Sequence, residues 1–136
     1  MKKSAFTMIE LVFVIVVLGI LAAIAVPKLA VTRDDAMISK GRSDVAAIRT
    51  GIVSERQARL VKGEHSFIAP DKLSVNKLFD GVMMYGITAG TGDGHWSGGG
   101  TSYTYKIKGE SNVFTYTQAT GKFECTSGSY CSKLTD

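Results

Sequence analysis

The stretch that decides the architecture is Phe6-Thr7-Met8-Ile9-Glu10, followed without a break by residues 11–26, LVFVIVVLGILAAIAV. These sixteen residues hold no charge and no strongly polar side chain. At 1.5 Å rise per residue, a helix over residues 6–26 is roughly 31 Å long, about the thickness of a bilayer's hydrocarbon core. One membrane span is the economical reading, because a helix that is apolar all round would otherwise need protein on every side. A secretory signal peptide is the competing reading, since Lys2-Lys3, the apolar run and Ala23-Ile24-Ala25 imitate one, with cleavage after Ala25. Against it stand the length of the run and Glu10 at its head. A carboxylate in a membrane segment costs about 2.5–3.5 kcal/mol even on the lenient insertion scale, so its presence there points to a specific partner.

Working outward, the run is preceded by Met1-Lys2-Lys3-Ser4-Ala5 and followed by Pro27. The combination of a short basic leader, Phe-Thr-Met-Ile-Glu and a long apolar run resembles the class III signal of type IV pilins and of the pseudopilins of type II secretion and DNA-uptake machines. The resemblance covers Lys2 to about Pro27. It implies cleavage between Ala5 and Phe6 by a prepilin peptidase and N-methylation of Phe6. Glu10 then stands fifth in the mature chain, and the family's model has it neutralise the Phe6 amine of a neighbouring subunit during assembly. The family nearly always has Gly where this chain has Ala5, a departure that bears on how well the leader is processed.

The physical logic of that pairing is general. Cleavage leaves a charged amine beside an apolar helix that must pack among others like it. Removing one member of an ion pair in so poor a solvent typically costs about 3–5 kcal/mol. Glu10 thereby acts as a register device.

The whole chain has 136 residues, 45% hydrophobic and 21% charged, with a formal net charge of +4. That excludes wholesale disorder and a multidomain enzyme. The basicity is local: Lys2 and Lys3 belong to the leader, and residues 28–77 hold ten Lys and Arg against six Asp and Glu. Residues 78–136 are close to neutral, with four against five. A basic helix can touch DNA or anionic headgroups, but it lacks the interleaved aromatics of a single-strand binder, and a solvated helix surface explains it better.

Beyond Pro27, Ile38, Val45, Ile48 and Ile52 recur at helical spacing among basic residues, which predicts an amphipathic continuation of the first helix to Lys62, with Gly63 as its stop. Pro27 removes a backbone hydrogen bond and predicts a kink or local melting. From residue 63 the texture turns to β and loop: a connector over 63–74 around Pro70, a short helical turn within 75–85, and strands over 103–108, 113–117 and 122–125. Turns at 109–112 and 118–121 make these a three-stranded antiparallel meander. The expected fold class is therefore α+β: a long helix, first transmembrane and then amphipathic, packed on a small antiparallel sheet. The expected organisation is leader 1–5, membrane and polymerisation helix 6–27, amphipathic helix 28–62 and a head over 63–136 of loop and antiparallel sheet that ends in a C-terminal disulfide loop.

Residues 86–100, GITAGTGDGHWSGGG, hold seven of the fifteen glycines but lack the strand and helix context of a phosphate loop or a dinucleotide fingerprint. Some major pseudopilins bind calcium in a head loop, and Asp93 offers one oxygen. A calcium site wants 6–8 oxygens, so a flexible surface loop with Trp96 folded back on the sheet is the better reading, and no metal or cofactor is expected. His65 and His95 are far apart and read as surface residues. No nucleophile elbow or acyl-transfer signature is present, so the chain does not read as an enzyme. Cys125 and Cys131 are the only cysteines, and with no further ligands nearby they read as a disulfide that pins the tail to the last strand.

These readings converge on a pilin-like subunit, single-pass in the bacterial inner membrane with a periplasmic head. Its implied partners are other pilin-like subunits, alike or different, the prepilin peptidase and an inner-membrane assembly platform. The alternatives are a DNA- or substrate-binding minor pilin of a competence system and a soluble protein released after Ala25.

Overall fold

The computed structural model describes residues 4–136, so Lys2 and Lys3 of the expected leader lie outside the described residues. Helix α1 runs Met8–Val61 and passes through Pro27 without a break. Its end follows from Gly63, whose φ of 84° only glycine adopts freely. There the Gly63 N–H donates to Leu60 O and the Glu64 N–H to Arg59 O, both 3.0 Å, the paired bonds of a Schellman cap. The chain divides into two compact units, Met1–Asp35 and Ala36–Asp136.

In the first unit, residues 4–29 are all exposed. The helix is long and apolar enough to cross a membrane, with a mean hydropathy of 3.0 in its most apolar window and none of that window buried. Apolar side chains exposed on this scale need a nonaqueous or helical environment to cover them.

The second unit is an α+β head. After α1 come α2 (Pro70–Leu73), β1 (Trp96–Gly99), β2 (Ser102–Ile107), β3 (Glu110–Thr117), β4 (Lys122–Ser127) and α3 (Cys131–Thr135). The sheet is an antiparallel meander of order β1-β2-β3-β4. Alternation drives it: Tyr103, Tyr105 and Ile107 of β2, Phe114 and Tyr116 of β3 and Phe123 of β4 all point inward. They meet Val45, Ile48 and Ile52 of α1, a stripe at helical spacing. Phe79, Trp96 and Tyr103 fill the centre, with the Phe79 and Tyr103 rings 4.3 Å apart.

Four expectations are corrected. The sheet has four strands, not three, because Trp96 of the glycine-rich segment pairs with Tyr105 and is fully buried, so residues 96–99 form a strand and not a flexible loop. The connector over 63–74 is not all loop, because Pro70 supplies the fixed φ that suits a first helical position and opens the short helix Pro70–Leu73; the turn expected within 75–85 lies at Phe79–Met83, closed by the Met83 N–H to Phe79 O at 2.8 Å. The β2–β3 turn is the two-residue Lys108-Gly109, not 109–112. Both residues have positive φ, 52° and 74°, which matches the twist of a tight hairpin and frees residues 110–112 for the strand. The tail is not all loop, because Cys131–Thr135 is a helical turn that buries Leu134.

Candidate assembly site at the head of the first helix

Ala5 and Phe6 lie just before α1, outside any helix or strand, and Phe6 is 85% exposed. Thr7 takes the N-cap position and Glu10 the third helical position, and the two satisfy each other. The Thr7 backbone N–H donates to Glu10 Oε2 at 2.9 Å, the Thr7 hydroxyl to the same oxygen at 3.1 Å, and the Glu10 N–H to Thr7 Oγ1 at 3.3 Å. This is a capping box, which meets two of the backbone donors that a helix start leaves unpaired. The carboxylate also sits where the helix dipole favours negative charge.

Thr7 is the functional residue that the sequence reading passed over. Its signal was present: Thr7-Met8-Ile9-Glu10 has the Ser/Thr-x-x-Glu spacing just ahead of an apolar run. The structure thus gives Glu10 a partner within its own chain, in addition to any that another subunit supplies.

In the head, Cys125 and Cys131 form the disulfide. It ties the start of α3 to β4, and Asn112 secures the same junction: its Oδ1 accepts the Tyr130 N–H at 3.0 Å while its Nδ2 donates to Tyr105 O at 3.2 Å. The Asp93 carboxylate accepts the Gly109 N–H at 2.8 Å, so it braces the β2–β3 turn. Trp96 Nε1 donates to Asp44 on α1 at 2.9 Å, and His65 and His95 are exposed. Burial, and secondarily the negative charge of Asp44, push the Tyr105 hydroxyl up to about 12. It stays protonated and donates to Met37 O at 2.7 Å.

The described chain thus joins an exposed apolar helix with a capped acidic start to a disulfide-closed α+β head. Residues 1–26 match the family model for the prokaryotic N-terminal methylation motif. Over 51 residues the chain is 39% identical to the type II secretion system core protein G of Pseudomonas aeruginosa strain PAO1. That match covers 38% of this chain and 36% of the relative, about a third of its length. No solved structure matches the chain. Together the motif and this similarity support the type IV pilin-like and pseudopilin family for the chain.

Proposed function

We propose that the chain is a structural subunit, a pilin or pseudopilin, of a type IV pilus-like or type II secretion-like filament. Cleavage between Ala5 and Phe6 makes Phe6 the N-terminus, which is then methylated. The helix of residues 6–27 holds the subunit in the inner membrane with its head in the periplasm, and later packs against other subunits, Pro27 giving it a point of flexure. Glu10 pairs with the Phe6 amine of a neighbour. The work is mechanical, with force supplied by a separate machine acting through a membrane platform.

The observation that carries this reading is the position of Glu10: fifth from Phe6, at the start of a helix whose apolar residues are uncovered and which matches the methylation motif. The capping box sharpens the test, because that box accepts Gln as well as Glu at its third helical position. Glu10→Gln keeps the helix start and removes the charge, whereas Thr7→Ala keeps the charge and weakens the cap by about 1 kcal/mol. Charge pairing predicts that Glu10→Gln reaches the membrane but enters filaments at least about tenfold less well. Normal assembly of Glu10→Gln would reduce Glu10 to a capping residue. An intact mass that starts at methylated Phe6 supports the processing step, and one that starts at Val26 refutes it.

A further inference from the structure

The exposed side of α1 in the head has two flanks of opposite charge. Arg42, Arg49 and Arg56 stand seven residues apart, nearly two helical turns, and so share one flank. That flank lies beside β4: Arg49 Nε donates to Phe123 O at 3.0 Å, and the Arg56 guanidinium sits 4.0 Å from the centre of the Phe67 ring. Lys122 and Val53 adjoin Arg49 in the same groove, together with Glu124, which pairs with Lys122 at 3.6 Å and leaves the flank net positive.

The other flank is a groove of about 300 Å³ between α1 and the loop after Phe79. Its charged residues are Glu55 and Asp80, both acidic, and Met83 and Met84 form its rim. Glu55 and Arg42 both lie within α1, and among the described residues their side chains make no hydrogen bond or ion pair. Each flank also presents apolar surface: Val53 is 53% exposed beside the arginines, and Met84 and Tyr85 are 89% and 81% exposed beside the acids.

We propose that these flanks are the two halves of one contact between heads, in which the arginine flank of one copy meets the Glu55 groove of a second copy of this chain. Opposite charges on different patches of one surface make a heterologous contact. Such a contact repeats from copy to copy and builds an open helical array unless its rotation closes. Complementary charge sets the register, while Met84 and Val53 supply apolar area to bury. Arg42 and Glu55 are the members whose side chains have no partner among the described residues, so the contact uses charges left unspent there. The inference rests on the filament reading above, and adds to it which surfaces of the head touch.

The test uses the full-length chain, expressed with its assembly machinery and read as sheared filament yield. Arg42→Glu with Arg49→Glu, or Glu55→Arg alone, should each lower the yield at least about tenfold, and the combination should recover to within about threefold of wild type. Retention of the Cys125–Cys131 disulfide and of trypsin resistance separates a lost contact from a lost fold. A photoactivatable cross-linker at Met84, in a chain of native charge, should capture a peptide of the arginine flank from a second copy. Three results overturn the contact: undiminished filaments from the single-sided reversals, no recovery in the combination, or cross-links to another protein or another surface. Loss of DNA retention with filaments intact would assign the arginines to nucleic acid and overturn it too. A wild-type chain that forms no filaments, with a mature N-terminus other than Phe6, instead sinks the filament reading.

Discussion

Asp80 shows how one side chain can fix a loop. Its Oδ1 accepts the Val75 N–H at 2.7 Å, and its Oδ2 accepts those of Asn76 and Lys77 at 2.8 and 3.0 Å. Those three bonds to the ionised form hold its carboxyl below the usual aspartate range. Beside it, buried Phe79 takes a φ of 60°, held there by its N–H bond to Ser74 Oγ at 2.8 Å and by the ring cluster around it. The sign of the pH effect follows. A carboxylate whose folded value is depressed contributes stability that is fully present above its unfolded value. That stability is lost as pH falls through the folded value. Thermal unfolding of the detergent-solubilised chain should therefore show the head weakening as pH drops below about 4. Asp80→Asn should be less stable at neutral pH and flatter across that window, and identical pH profiles for the two chains would remove Asp80 from this role.

Among the elements, α1 carries three glycines with different duties. Gly51 faces the loop after Phe79, and a Cβ there would press on the Val82 carbonyl oxygen, which is backbone and cannot swing aside. At Gly41 a Cβ would come 2.6 Å from both Leu134 Cδ2 and Tyr105 Cε1; Leu134 can shift with the tail, while Tyr105 is anchored through its hydroxyl to Met37 O. At Gly19 nothing lies within 4 Å. Alanine gains about 1 kcal/mol of helix propensity at any of them. Overpacking a tight site costs about 1–3 kcal/mol, so the clash decides the sign at Gly51. The expected order of stability loss in chemical denaturation is Gly51→Ala above Gly41→Ala, with no loss at Gly19→Ala. An equal response at Gly51 and Gly19 would show that the loop yields freely.

At the scale of the whole molecule, the disulfide and Asn112 make the tail part of the head. The loop that Cys125 and Cys131 close is short, so the chain-entropy contribution is only about 2 kcal/mol. Its structural effect is to hold Leu134, which is buried against Gly41 and Tyr105. Replacing both cysteines with Ser should lower the head's unfolding free energy by about 2 kcal/mol and make the C-terminal residues the first to be trimmed by carboxypeptidase. An unchanged denaturation midpoint would mean that the buried contacts suffice alone.

Much of this chain is local information. The membrane-length helix, its capped start at Thr7 and Glu10, its Gly63 stop and the alternation of β2 and β3 are each written within a few residues, because helix and strand periods and caps depend on near neighbours. The methylation motif is equally local, which is why the resemblance was legible from Lys2 to about Pro27. What only the tertiary structure decided are the contacts between distant segments. Trp96 finds Asp44 across 52 residues and turns a glycine-rich stretch into a fourth strand. Gly41 and Gly51 are needed only because a tail and a loop pack against them. The opposed charges flanking α1 form surfaces only once β4 and the Asp80 loop lie on either side of it. Close packing joins residues by their place in the core and not by their order in the chain, so no local pattern could carry them.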